Sequence, residues 1–327
     1  MASPNSVFTE LVATTLRNHR KTFADNVSNH NALLARMEAK GRKQKVSSGY
    51  EIVEPLDYAE NSTYQRYSGY DILNVQASDV LSAAKFDWKQ IAVNVAASGY
   101  ELRVNSGKEA IVDLVKQRVT NAMRTFKNQF SSDLYSDGTA ANQINGLQAI
   151  VSDAGTGTVG GINSSTYTFW KNAVQSAAAP LQGGGAITPS KTTIQSLMLP
   201  LWLETTRGGD SVDLIVSDND YFTFYEESLT DLKRYTGNDN SAVGGFTALK
   251  YKTADVVHDG GNLGGGIGTD KMYFLNTDFL KLKCHPEADM TELPENSSVN
   301  QDAVVIPIIW QGNLCVSNRS LQGVLKA

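Results

Sequence analysis

One segment does most to limit what this chain can become. Ser106 and Glu109 have the spacing of a capping box, in which a hydroxyl and a carboxylate satisfy the first free amides of a helix. Behind them Ile111, Val115, Val119, Ala122, Met123, Phe126, Phe130 and Leu134 recur every three or four residues, and Gly138 stands where such a helix would stop. The pattern predicts one amphipathic helix of about 28 residues, some 42 Å long at a rise of 1.5 Å per residue. Its stripe drifts from a strict heptad, which argues for a spine within a body rather than a coiled-coil partner.

The text on either side differs in kind. Residues 1–45 read as helical, with Val7, Leu11 and Thr15 and then Phe23, Val27, Leu34 and Met37, and Gly41 is a natural stop. This apolar face is too thin to fold alone and must lie on something. From Ser47 to Asn105 tyrosines (58, 64, 67 and 70) sit among Gly and Ser. Phe86-Asp87-Trp88 follows, then Ile91, Val93 and Val95 in the alternation of a half-covered strand. The phase slips between Trp88 and Ile91, as at a bulge, and the segment reads as a long hairpin excursion, unstable unless paired.

Beyond Gly138 the chain reads as a mixed domain. Gly146–Val151 is expected as a short strand, and Tyr167–Trp170 as the start of a helix. Thr188-Pro189-Ser190 opens a helix through Ile194, Leu197, Met198 and Leu201, with Pro200 as a kink or break. Val212–Val216 is a buried strand, and Ser217–Asp220 caps a helix with Tyr221, Phe224, Tyr225 and Leu229. Strands follow at 248–257, 271–275, 279–284 and 303–310, and residues 313–325 begin as one more.

Composition narrows the class. At 41% hydrophobic residues over 327, the chain is no disordered polymer, and no run approaches the ~20 apolar residues of a membrane helix. Only 19% of residues are charged, below the roughly 25% usual in soluble domains. Much of the surface must then be Ser, Thr, Asn, Gln, Gly and Tyr, which can face water or other copies of the same protein. Residues 1–45 carry eight Lys and Arg against three Asp and Glu, so a basic arm joins an acidic body within a net charge of −5. Such an arm suits nucleic acid or a neighbour's acidic surface. Two cysteines, Cys284 and Cys315, form no disulfide framework. The polar start has no secretory core, which fits a reducing cytoplasm.

Chemistry is scarce. The sequence has no nucleophile elbow, phosphate loop or zinc-protease motif. The glycine cluster 260–268 precedes a strand rather than a helix, so it reads as a loop and not a phosphate cradle. His19, His30, His258 and His285 lack partner ligands in sequence, and paired carboxylates such as Asp218 and Asp220 belong to helix starts. No catalytic residue, metal ligand or cofactor site is expected.

The ordered parts (basic arm, long hairpin, capped spine helix, mixed domain, late strands) resemble the major capsid proteins of tailed bacteriophages, with the Hong Kong 97-type fold. The likeness spans nearly the whole chain. Asn145–Val151, then Gly161-Ile162-Asn163 running into Tyr167–Trp170, is similar to the text after the spine helix in many such shells. Met272–Leu282 is similar to the family's exit toward its peripheral strands, and Val304–Trp310 with Asn313–Leu325 to its closing strands. The resemblance implies an α+β fold: N-terminal arm 1–45, extended β-hairpin loop 46–105, and a peripheral domain with its spine helix at 106–137. An axial domain at 138–270, peripheral return strands at 271–310 and a closing axial strand at 311–327 complete it.

The implied function is a shell subunit, not an enzyme, that self-assembles into an icosahedral capsid of pentamers and hexamers around double-stranded DNA. An encapsulin-like bacterial compartment or, from another class, a β-rich carbohydrate-binding or hydrolytic protein are the alternatives. Implied partners are other copies, packaged DNA held without sequence specificity, a portal, a decoration protein and a separate scaffolding protein, with no membrane. Its place would be the virion, and the host cytoplasm during assembly. A spine helix beginning near residue 106 leaves no room for a cleaved scaffold segment. Lys85 and Lys89 lie on the loop, but no Asn or Glu motif matches them for covalent linkage. Subunit contacts are expected from Arg36, Arg42, Lys43, Lys45, Tyr64, Arg66, Tyr67, Phe86 and Trp88, with Phe86 and Trp88 buried on a neighbour.

Overall fold

The computed structural model describes residues 31–47, 49–104, 114–229, 249–259, 266–294, 296–297 and 302–327. The capping box at 106–109, the first part of the arm and most of the glycine cluster lie outside them. Two sheets organise the rest.

The first sheet is built on its two longest strands. β12 (Leu280–Glu292) and β14 (Ala303–Val316) pair antiparallel, from Leu280 opposite Val316 to Glu292 opposite Ile308. Both carry proline, which strands tolerate only where no ladder N–H is needed. Pro286 falls in the register shift between Cys284 and Asp289. Pro307 sits beyond the last β12 partner, and its carbonyl accepts from the Leu293 amide at 2.9 Å. β1 (Lys43–Lys45) runs parallel on the outer side of β12, and β13 (Asn296–Ser297) pairs the start of β14. β4 (Lys89–Ser98) takes the other edge of β14 from Gly312 to Ala303. The alternation of Ile91, Val93 and Val95 therefore belongs to a body sheet rather than to the excursion. The extended run is interrupted at Asp87-Trp88, between β3 (Leu81–Phe86) and β4.

The predicted spine is α3 (Leu114–Leu134), and it lies against β4 and β14. Ala122, Phe126, Phe130 and Leu134 are buried, with Phe130 edge-on to Trp310 at 4.8 Å. Gly138 lies four residues past the helix, at φ +69°, a left-handed turn conformation that suits glycine. A short helix, α2 (Gly99–Val104), intervenes between β4 and the spine. It carries a reciprocal capping box of its own. The Ser98 amide donates to Glu101 Oε2 at 3.0 Å, and the Glu101 amide to Ser98 Oγ at 3.2 Å.

The second sheet has six strands in the order β7 (Ala173–Ser176), β15 (Gly323–Lys326), β11 (Lys271–Leu275), β8 (Leu214–Ser217), β10 (Ala254–His258) and β9 (Leu249–Tyr251). Its central strands are covered on both faces and so read as unbroken apolar runs. Ile215, Val256 and Phe274 meet α5 (Ile194–Glu204) and α6 (Asn219–Ser228), while Leu214, Val216, Tyr273 and Val324 meet the core shared with the first sheet. Asp218 caps α6 by accepting the Tyr221 amide at 3.0 Å.

Several local expectations change. β11 pairs within the six-stranded sheet, so the return to the first sheet begins at Leu280, after the 3₁₀ turn Thr277–Phe279. β14 stays in the first sheet as far as Val316, and the closing strand is the four residues of β15. Gly146–Val151 forms one helical turn, α4 (Leu147–Ile150), entered through Gly146, which packs so tightly on Ser136 that a Cβ would lie 2.3 Å from its backbone. Tyr167–Trp170 makes a single 3₁₀ turn before β7. Pro200 does not break α5. The carbonyl of Ser196, which a residue-200 amide would have served, accepts from Gln182 Nε2 at 3.4 Å.

Candidate assembly surface

The excursion is the hairpin of β2 (Ile52–Asp57) and β3 (Leu81–Phe86), in register from Ile52 opposite Phe86 to Asp57 opposite Leu81. Its inward face, Ile52, Glu54, Leu56, Ala84 and Phe86, is buried in the chain's own core. The expectation that Phe86 is kept for a neighbour is thereby corrected. A turn between β5 (Thr158–Val159) and β6 (Ile162–Asn163) carries Gly160 to within 2.8 Å of Ala84 and 3.1 Å of Phe86, measured from a would-be Cβ. No sequence signal links residues 86 and 160. Glu54, almost wholly buried, is answered by two β12 lysines, Lys281 Nζ at 2.9 Å and Lys283 Nζ. An unpaired carboxylate there would be costly, so the pair ties the hairpin stem to the first sheet.

The hairpin's far end is different. Between the strands, residues 58–80 have no regular structure, and most of their large side chains face outward. Tyr64 is 81% exposed, Ile72 93% and Val75 90%, with Tyr67, Tyr70 and Leu73 also open. Contiguous apolar exposure of this kind marks an interaction site. Arg66 is exposed on the same segment. Internal hydrogen bonds give the tip some order: the Gln65 amide group donates to the Ile72 carbonyl at 3.0 Å, and Ser68 N–H to Asp71 at 2.8 Å. Trp88 is half-buried at the hairpin base, where its indole N–H donates to the Gly49 carbonyl at 2.9 Å and its ring lies edge-on to His285.

The basic residues of the arm are placed otherwise than expected. α1 (Ala32–Ala39) and β1 fold back along the body, where their cations meet carboxylates of the same chain. Arg36 reaches Asp213 and Asp255, each at 3.3 Å, and Lys40 reaches Asp213 at 2.8 Å. Arg42 pairs Asp278 at 2.6 Å and Lys43 pairs Asp289 at 2.7 Å, while Lys45 stands 3.9 Å from the same Asp289. Among the described residues, the arm's cations thus serve to dock it on the body. Its entry point is fixed by Asp259, which accepts from the Ala32 amide at 3.1 Å and from Tyr135 Oη at 2.5 Å. Burial raises the pKa of Asp259, against those donors, and raises that of Tyr135 as well.

One carboxylate grouping among the described residues has ligand-like spacing: Asp218, Asp220 and Asp270. Both Asp218 oxygens already accept backbone amides, from Tyr221 and Asp270, so the group acts as a helix cap and turn lock. Among the described residues no helix is long and apolar enough to cross a membrane.

No family model matches the sequence, and no curated protein does. Solved structures do. The chain is similar to a subunit in the capsid asymmetric unit of cyanophage A-1(L), with 17% identity, 97% of each chain covered and a TM-score of 0.66. It is similar to a chain in the capsid of an empty GTA particle, at 10% identity, 99% coverage of both chains and a TM-score of 0.61. A subunit from the capsid of Myoviridae phage XM1 aligns over 95% of this chain and 98% of its own, at 11% identity and a TM-score of 0.54. The chain has the fold of these capsid subunits over 95% or more of its length.

Proposed function

We propose that this chain is the major capsid protein of a tailed virus, assembling with copies of itself into a closed shell of pentamers and hexamers around double-stranded DNA. One observation carries the reading: a fold shared end to end with capsid subunits, 97% to 97% in the cyanophage case. The hairpin supports it, because a tip rich in exposed Tyr, Ile and Val is unfavourable in a lone soluble domain and favourable against a neighbouring copy. Tyr64, Arg66 and Tyr67, with Tyr70, Ile72 and Val75, are the subunit contacts of this reading, and Trp88 braces their base. Many such contacts, each weak, are closed by symmetry. DNA is held without sequence preference, and a scaffolding protein, a portal and a decoration protein complete the assembly.

Expression of the chain, alone and with its neighbouring viral genes, followed by negative-stain microscopy and sedimentation, tests the proposal. Closed particles, holding nuclease-protected DNA when the neighbouring viral genes are present, are the expected result. A species that sediments as a 35.4 kDa monomer in every condition would overturn it.

A further inference from the structure

The two strands of the hairpin differ in how their outer edges are met. The Tyr58 amide donates to the Val80 carbonyl at 3.0 Å, which fixes the alternation of the ladder. Even-numbered residues of β2 and β3 bond each other, and odd-numbered ones direct their N–H and C=O groups outward. On β2 the outward edge is interrupted at its middle. Pro55 has no N–H to offer, and the Val53 carbonyl accepts from Lys283 Nζ at 3.4 Å. On β3 only Lys85 is served, its amide bonding the Gly160 carbonyl at 2.9 Å. Leu81 and Ala83 have no partner for their outward backbone groups among the described residues.

Those groups do not simply face open water. They border a groove of about 440 Å³ whose other side is Gly161, Ile162, Tyr167 and Phe169. An open strand edge on one wall and aromatic side chains on the other is how proteins receive an extended peptide as an added strand. In the first sheet, by contrast, the β1 and β4 edges are guarded. β1 is three residues long with lysine at both ends, and β4 is capped near its end by Arg118 on the Ala96 carbonyl and Glu101 on the Ser98 amide. The groove carries one charge of each sign, Asp79 and Lys85, and it leads directly into the exposed tip that begins at Tyr58.

We infer that the outer edge of β3, at Leu81 and Ala83, accepts an extended segment of a second copy of this chain as an additional β-strand. The inference rests on the shell reading and names where one subunit grips the next. A second copy is the occupant because the groove is continuous with the apolar tip, and because its nearly uncharged lining matches a chain poor in charge.

Hydrogen exchange read by mass spectrometry, on particles and on dissociated subunits, tests it over residues 80–86. The amides of Leu81 and Ala83 should exchange at least ~100-fold more slowly in particles, while those of Ser82 and Ala84 are protected in both states. Ala83→Pro removes one outward N–H and no ladder bond, so the free subunit should keep its melting midpoint and lose ~10-fold or more of its particle yield. Should that variant fail to fold, exchange on the wild-type chain decides alone. Particles in which Leu81 and Ala83 exchange as fast as in free subunits overturn the strand pairing and leave the shell standing. Wild-type chain that forms no particle at all removes both.

Discussion

Arg118 holds Glu101 with both ends of its guanidinium: Nη1 donates to Oε2 at 3.0 Å and Nη2 to Oε1 at 2.9 Å. Glu101 is also the capping carboxylate of α2, so one side chain joins the end of β4, the short helix and the spine. Both partners are about one quarter exposed or less, which places the pair between a surface bridge and a buried one.

This pair sets an acid limit. The hydrogen bonds from Arg118, then the Ser98 amide, lower the Glu101 pKa to about 2. A carboxyl depressed in the fold contributes stability that is present above its unfolded value and lost as pH falls through the folded one. The window is therefore about pH 4.5 to 2. After allowance for solvent screening the contribution is about 1 kcal/mol. Urea unfolding across this window should lose that increment in the native chain and show a flatter profile in Arg118→Met.

Arg319 is expected to be the least replaceable cation. It is fully buried and donates to the Ile150 carbonyl at 2.6 Å, the Trp170 carbonyl at 3.1 Å and Ser152 Oγ at 3.0 Å. Burial lowers its pKa to about 10, so it remains a cation at neutral pH. Arg319→Leu would orphan three acceptors, and Arg319→Lys cannot span them with one ammonium. A loss of about 3 kcal/mol is expected for Leu, and more than 1 kcal/mol for Lys, by chemical denaturation.

Tyr135→Phe should loosen the docked arm. It leaves the Asp259 carboxylate with the Ala32 amide as its donor among the described residues. Burial holds the Asp259 pKa above its ordinary value, so its contribution is fullest at low pH and is lost as pH rises through the folded pKa. Loss of the phenol donor should therefore matter more at pH 7 than at pH 3, by about 1–2 kcal/mol. Faster amide exchange in α1 at neutral pH, with α5 unchanged, is the expected reading.

Gly160→Val should detach the hairpin stem. The residue has φ +59°, and a Cβ there meets Ala84 and Phe86 at contact distances too short to keep. A loss of at least ~2 kcal/mol in thermal unfolding is expected. Gly161→Ala, where a Cβ meets nothing within 4 Å, should cost less, although φ +78° still strains it.

Much of this was legible in the sequence where periodicity speaks. The stripe from Ala122 to Leu134 announced α3, and the cap at Asp218 announced α6. The order of the parts pointed to the fold. Contacts between distant residues were not legible: nothing in the text joins Phe86 to Gly160, or Arg36 to Asp213, 177 positions away. For that reason an aromatic destined for the core and cations destined for internal pairing both read as contact residues. The Ser98 and Glu101 capping box has the same spacing as the one at Ser106, yet it was hidden because the strand before it runs straight into the helix. The open edge of β3 was beyond reach for another reason. Which backbone groups point outward depends on register, and register is set by pairing.

The stem at Gly160 also has a metric consequence. Because the hairpin is pinned near Lys85 and carries its tip at the opposite end of two six-residue strands, strand length works as a ruler between pivot and tip. Inserting two residues into each strand would carry Tyr64 and Ile72 outward by ~7 Å with every face preserved. Inserting one would turn the buried face of the hairpin to solvent and the exposed face inward. The spacing a subunit can offer its neighbours is therefore quantised in pairs of residues.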